Sequence, residues 1–264
     1  MDPAEALIRI RNVYKCYGQE QVLKGVNLDV LKGETLLVFG GSGVGKSVLL
    51  RLMNGLEKPD QGDIRVEGTD IVPLDENHLK PIRKKIGFLF QGSALFDAMT
   101  VEENIALPLL EHTDLGDEQR RQLVRNMLEL VELKFERDHW KRSSELSGGM
   151  KRRVSLARTL IMKPDIVLYD EPTTGLDPVK ADTICRLIKR LQLQQGITSV
   201  VVTHDIVAAD KIADRMAMLF DGQIIISDKP DIVKNSTNLC VRQFLLGDSR
   251  LPADKGNENH DRNY

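Results

Sequence analysis

The 264-residue chain is poor in several things, and each shortage excludes a class of protein. It has three cysteines, Cys16, Cys185 and Cys240. Their spacing fits no metal motif, and an odd count argues against a disulfide framework, so a reducing compartment is expected. No apolar run approaches the roughly 18 residues that a bilayer span requires. The opening residues lack the basic-then-apolar layout of a signal peptide. The chain therefore reads as cytoplasmic, with any membrane spans supplied by another polypeptide. A formal net charge of −2 leaves no excess cation for nucleic acid, and no nucleic-acid partner is expected. The clusters Arg83-Lys84-Lys85 and Lys151-Arg152-Arg153 read as solvated faces. No internal repeat or low-complexity segment is present. What remains is 41% hydrophobic and 29% charged, enough apolar material for a large core.

Periodicity organises that material. Val26, Leu28 and Val30 alternate with Asn27 and Asp29, as in a half-buried strand. Ile64 and Val66 repeat the pattern after an expected turn at Gln61-Gly62. Thr35 to Phe39 is a continuous apolar run ending in glycines, which suits a strand buried on both faces. From Val101 to Thr159 the pattern is helical, with Leu123, Val124, Met127, Leu128 and Val131 on one face. The last third alternates again. Strands are expected at 165–169, 197–203 and 215–220, with a helix striped by Ile184, Leu187, Ile188 and Leu191 between the first two. Asp221-Gly222 signals a hairpin turn. Strand–helix alternation implies an α/β fold on a largely parallel sheet. Residues 248–264 are polar and read as a mobile tail.

The chemistry begins at Gly40-Gly41-Ser42-Gly43-Val44-Gly45-Lys46-Ser47, a full match to G-x-x-x-x-G-K-[ST]. It follows the buried strand and precedes an apolar helix expected over Val48 to Gly55. Glycines let successive N–H groups curl round a polyphosphate, and the helix start adds its dipole. Lys46 is placed to reach the β- and γ-phosphates and Ser47 to ligate Mg2+. The strand Ile166 to Tyr169 ends in Asp170 and Glu171. Beside a phosphate loop, Asp170 falls near Mg2+, and Glu171 becomes the candidate general base for an attacking water.

To this point the residues specify a P-loop nucleotidase. Leu146-Ser147-Gly148-Gly149-Met150 then resembles the signature of ABC (ATP-binding cassette) ATPases, and precedes a helix expected to start near Met150. Gln91 resembles that family's Q-loop glutamine, expected to close the strand Ile86 to Phe90. Gly175-Leu176-Asp177 resembles the D-loop, and His204 the switch histidine. Tyr17 matches the aromatic position that stacks on adenine, with Tyr14 a possible substitute.

The resemblance spans about residues 7–247 and implies a single ABC ATPase domain over 1–247. It implies a P-loop core, an antiparallel β lobe and an inserted helical lobe at roughly 93–160. It further implies ATP and Mg2+ as cofactors and catalytic roles for Lys46, Gln91, Glu171 and His204. Ser47, Gln91 and Asp170 would lie on the metal side. Nucleotide contacts would come from Tyr17, the loop from Gly40 through Val48, and Ser147, Gly148, Gly149 and Asp177. A homodimer would sandwich two ATPs, each between Lys46 of one chain and Ser147 of the other.

Met150, which replaces the usual glutamine, and the run from Ser93-Ala94-Leu95-Phe96 to Asn104, then Ile105 to Leu109, resemble the MlaF-like ATPase subunits of Mla and MCE-type phospholipid transporters. Val241 to Gly247 resembles their C-terminal end. That likeness implies an MlaE-like permease, an MCE-domain lipid-binding protein and a possible STAS-domain subunit. The chain would then be peripheral on the inner membrane. Ala94, Leu95, Phe96 and Met99 suit either a docking groove for a permease helix or the core of the helical lobe. Other readings are an ABC ATPase for amino acids, ions or a cell-division complex, a soluble ABC protein acting on ribosomes or DNA, and a non-catalytic module. A single cassette without coiled-coil insertions disfavours the soluble ABC protein, and intact Lys46, Asp170, Glu171 and His204 disfavour the non-catalytic module.

Overall fold

Burial follows the alternation. Ile8, Ile10 and Val13 of β1 (Ala6–Tyr17) are buried, as are Leu23, Val26, Leu28 and Val30 of β2 (Glu20–Leu31). The computed structural model describes residues 6–206 and 210–247. The tail expected over 248–264 lies outside the described residues. β1 pairs antiparallel with β2 on one side and with β4 (Gln61–Val66) on the other. The short β5 (Thr69–Asp70) completes a sheet in the order β2-β1-β4-β5.

Gln61 and Gly62 lie inside β4, not in a turn before it. Gly62 has φ +93, and a Cβ there would stand 2.3 Å from the Asn12 carbonyl oxygen. The glycine permits a close approach of two backbones, which a sequence reads equally as a turn.

The second sheet carries the function. β3 (Thr35–Phe39), β6 (Ile86–Leu89), β7 (Ile166–Asp170), β8 (Thr198–Thr203) and β9 (Arg215–Phe220) run parallel, and β10 (Gln223–Asp228) adds an antiparallel edge. Their order is β10-β9-β3-β8-β7-β6. Asp221 and Gly222, both at positive φ, make the expected hairpin turn between β9 and β10. Side chains of β3 serve two cores. Leu36 and Val38 pack with the β1–β2–β4 lobe and with α1 (Lys46–Met53). Leu37 and Phe39 pack with the helices of the opposite face. A strand buried on both sides needs the unbroken apolar run seen in the sequence.

Those opposite helices are α3 (Val101–His112), α4 (Asp117–Leu130), α6 (Gly148–Leu160) and α7 (Pro178–Gln195). The chain also contains α2 (Glu76–Arg83), α5 (Phe135–Asp138), α8 (Pro230–Lys234) and α9 (Leu239–Leu246). α3 starts on a capping box, in which the Thr100 hydroxyl accepts the Glu103 N–H and the Glu103 carboxylate accepts the Thr100 N–H. Asn104, fully buried, donates to the carbonyls of Phe96, Met99 and Thr100 and accepts the Phe96 N–H, pinning the loop before α3. Asp138 is buried between Arg137 and Lys141. Burial pushes its carboxyl up, but those two cations and the Lys134 N–H outweigh burial and bring it down to about 2.

Register then places the site. Phe39 lies opposite Thr203, and Asp170 opposite Val202. The carboxyl ends of β3, β7 and β8 therefore coincide, and the segments leaving them meet.

Candidate functional site

Glycine is required at two points of the loop after β3. Gly40 has φ +153, and a Cβ there would fall 2.2 Å from the Leu219 carbonyl oxygen. Gly45 has φ +102, and a Cβ would fall 2.8 Å from Val22 Cγ1. Helix α1 begins immediately afterwards at Lys46, two residues earlier than the sequence suggests, and ends at Met53. Its N–H groups therefore open directly onto the loop. Ser42 and Gly43 are exposed at the tip, whereas the side chains of Val44 and Val48 pack into the β-lobe core. Those two valines can offer a ligand only their backbone.

Lys46 is 6% exposed, and its ammonium donates to the carbonyls of Gly40 (3.0 Å) and Gly41 (2.8 Å). It also lies 3.8 Å from Glu171 Oε1. Desolvation pushes the Lys46 pKa down, and the charges of Glu171 and Asp170 pull it back. The Ser47 hydroxyl donates to Asp170 Oδ1 at 2.8 Å. Burial raises the Asp170 pKa, the Ser47 bond lowers it, and the neighbouring Glu171 charge raises it again. The described residues hold no group of three or more His, Cys, Asp or Glu side chains able to bind a metal. Two hard oxygens beside a phosphate loop instead fit Mg2+, which takes few protein oxygens and completes its shell with phosphate and water.

Glu171 sits just past β7 with φ +48, an uncommon conformation for a residue with a side chain. Its N–H donates to the Val202 carbonyl at 3.0 Å, prolonging the β7–β8 ladder by one bond. Its carboxylate accepts the hydroxyls of Thr174 and Thr203 and lies 3.0 Å from His204 Nδ1. Lys46, Glu171 and His204 are thus linked through the Glu171 carboxylate, and the Ser47–Asp170 pair adjoins them because Asp170 precedes Glu171 in the chain.

The other expected residues stand apart from it. Ser147 caps α6, its hydroxyl accepting the Met150 N–H, and the helix starts at Gly148 rather than near Met150. Asp177 caps α7 in the same way through the Lys180 N–H. The two helix starts are neighbours. A Cβ on Gly148 would lie 3.6 Å from Leu176 Cδ2, and one on Gly149 would lie 3.1 Å from Lys180 Cδ. Gln91 is exposed beyond β6, two residues past its last strand residue. The Tyr17 hydroxyl bonds Glu57, which pairs with Arg51 of α1. Tyr14 instead has its hydroxyl 2.8 Å from where a Gly25 Cβ would be, so Tyr17 is the tyrosine on the α1 side. Among the described residues no direct hydrogen bond or ion pair joins the Gln91 side chain, Tyr17, Ser147 or Asp177 to the Lys46 cluster.

Several contributors are invisible in the sequence. Arg152, expected on a solvated face, is 4% exposed and donates to the carbonyls of Phe90 and Gln91. One and two turns along α6, Ser155 and Arg158 both bond the Ser93 carbonyl. Arg83, also expected in solvent, donates to the carbonyls of Asn54 and Gly55 at the end of α1. Of the groups around Glu171, the strand-end pair Thr203-His204 carried a signal only for the histidine.

Residues 23–174 match the family model described as ABC transporter. The chain is 39% identical over 247 residues to the intermembrane phospholipid transport system ATP-binding protein MlaF of Haemophilus influenzae, covering 94% of this chain and 93% of that one. It is 38% identical to a probable ribonucleotide transport ATP-binding protein of Mycobacterium leprae, over 93% of this chain and 70% of the relative. It is 40% identical to the methionine import ATP-binding protein MetN of Brucella abortus, over 83% of this chain and 58% of the relative. In structure it resembles the dimeric post-hydrolysis state of the ATP-binding cassette MJ0796 bound to ADP and Pi, with a TM-score of 0.78 at 37% identity, covering 84% of this chain and 98% of that one. Sheet order, loop geometry and these likenesses agree, and the chain belongs to the ABC transporter family as an ATP-binding subunit that hydrolyses ATP.

Proposed function

We propose that this subunit powers the transport of phospholipid between envelope membranes, working as a homodimer beneath an MlaE-like permease. ABC cassettes dimerise and act with membrane permeases, and no helix among the described residues is long and apolar enough to cross a membrane. Near-full-length likeness to the Haemophilus influenzae phospholipid-system subunit carries the cargo assignment. The methionine-import relative favours an amino-acid cargo instead. An MCE-domain protein and a STAS-domain subunit complete the proposed assembly. The exposed Ala94 and Phe96, on the loop that Asn104 pins, form the proposed permease-facing surface.

The proposed chemistry assigns each clustered side chain a task. Lys46 moves its ammonium from the Gly40 and Gly41 carbonyls to the β- and γ-phosphate oxygens. Ser47, Asp170 and Gln91 would hold Mg2+, which would supply positive charge to neutralise the phosphates. Glu171 takes a proton from the attacking water, and His204 fixes the γ-phosphate side of that carboxylate. Tyr17 lies against the adenine. The N-termini of α6 and α7, with Ser147, Gly148, Gly149 and Asp177, close over the ATP held by the partner protomer.

Affinity purification from detergent-solubilised native membranes, with mass spectrometry of proteins and lipids, tests the cargo. Recovery of an MCE-domain protein, an MlaE-like permease and enriched phospholipid is expected. A different permease without phospholipid overturns the cargo and leaves the ATPase in place.

A further inference from the structure

The carboxylate of Glu171 is divided between two environments. Oε2 accepts the Thr174 hydroxyl and the Thr203 hydroxyl, each at 3.0 Å. Oε1 lies 3.0 Å from His204 Nδ1 and 3.8 Å from Lys46 Nζ, on the side of the phosphate loop. Thr203 is 1% exposed, so its hydroxyl has no solvent alternative. Its oxygen already accepts the Asp205 N–H at 3.0 Å. A hydroxyl has a single hydrogen, and with the oxygen engaged as acceptor that hydrogen is directed at Oε2. Two donors on one carboxylate oxygen occupy its favourable lone-pair directions and fix the rotation of the group. The backbone cooperates, because the bond from the Glu171 N–H to the Val202 carbonyl holds the residue in its positive-φ conformation beside β8.

We propose that Thr203 is a positioning residue which, with Thr174, ties down Oε2 of Glu171 and reserves Oε1 to receive the proton of the attacking water. The inference rests on the reading of Glu171 as general base. In that step a water O–H bond breaks, its hydrogen goes to Oε1, and the water oxygen bonds the γ-phosphorus. The bond from the γ-phosphorus to the bridging oxygen breaks, and ADP leaves with the electron pair. An untethered carboxylate could rotate and present either oxygen, and misplacement of a base by about 1 Å is enough to cost a large factor in rate. Burial of Thr203 gives the tether its stiffness, and the half-exposed His204 could not supply it alone.

The test compares steady-state ATP hydrolysis by the full assembled transporter carrying Thr203→Val, Thr203→Ser or Glu171→Gln. Valine keeps the branched shape and removes the hydroxyl. Thr203→Val is expected to lower kcat by about tenfold with KM for ATP unchanged, since a ground-state contact to nucleotide is not lost. Thr203→Ser, which keeps the donor, restores the rate. In a Glu171→Gln background Thr203→Val adds no further loss. Wild-type kcat in Thr203→Val, a loss that serine does not rescue, or an equal rise in KM overturns the proposal. A Glu171→Gln protein that hydrolyses ATP at the wild-type rate sinks the general-base reading instead, and the two failures are therefore distinct. If Thr203→Val does not fold, Thr174→Val at the less buried donor decides by the same readouts, with a smaller loss of kcat expected and none overturning the tether.

Discussion

Lys46, Asp170 and Glu171 are 6%, 7% and 7% exposed, and the bond from Ser47 to Asp170 joins residues 123 apart in the chain. Ser147 and Asp177 stand in solvent, and each side chain reaches only the residue three ahead, Ser147 the Met150 N–H and Asp177 the N–H and ammonium of Lys180. Both regions contain a helix start able to receive an anion. One is finished within the chain, with every charge answered by a neighbour. The other is pre-shaped by its caps and glycines and offers open N–H groups. A buried charge must be paired where it is formed, whereas an exposed helix start can wait for a ligand at little cost. The difference is the one that the proposed composite site calls for, in which the first half of one protomer would meet the second half of another.

That contrast can be broken at its strong end first. Glu171→Gln is expected to reduce kcat by about 100-fold or more while ATP binding is retained, since the proposed general base is lost without a change of shape. Phosphate-release kinetics beside nucleotide-binding titrations read both quantities. Loss of binding together with rate would mean that Glu171 serves structure rather than proton transfer.

A smaller effect is expected where the two regions are joined mechanically. Arg152 lies on α6, five residues beyond Ser147, and holds the Phe90 and Gln91 carbonyls. Arg152→Met leaves both carbonyls without that donor and is expected to cost about 2–3 kcal/mol, read as a lower urea midpoint. It should also speed hydrogen exchange over residues 90–93. An unchanged midpoint would make α6 independent of the Q-loop segment.

The smallest effect concerns the helical lobe that carries Ser147. Asp138→Asn should destabilise the protein by about 2 kcal/mol near neutral pH, through lost charge-assisted bonds to Arg137 and Lys141. Against the upward push of burial, Arg137, Lys141 and the Lys134 N–H hold the folded carboxyl at about 2, below its ordinary 3.8. A depressed folded value means that the contribution is complete above the unfolded pKa and is lost as pH falls through the folded one. The gap between wild type and variant should therefore narrow as pH drops from 3.8 towards about 2, and a constant gap in acid denaturation series would contradict the ion-pair account.

Much of this was legible from contiguous stretches. The phosphate loop is written in eight consecutive residues, and the runs Thr35–Phe39 and Ile166–Asp170 announce strands buried on both faces. Glu171 could be named because it follows such a strand beside a phosphate loop, and His204 because it falls where the family resemblance expects a histidine. Thr203 and Arg152 could not, because their meaning lies in partners 32 and 62 residues away. Arg152 also sits in a basic triplet that composition assigns to solvent. Gly62 misled for a related reason, since Gln-Gly signals a turn unless another backbone, here that of Asn12, is known to press against it.

The central claim is that the Lys46 half and the Ser147 half belong to different protomers in each working site. Single-turnover phosphate release from equal mixtures of Lys46→Ala and Ser147→Arg chains tests it directly. Each variant alone should be inactive. In the mixed dimer one site retains both the native Lys46 and the native Ser147, so the account predicts that activity returns on mixing. A mixture as inactive as its two components would place both halves of the site in a single chain and contradict it.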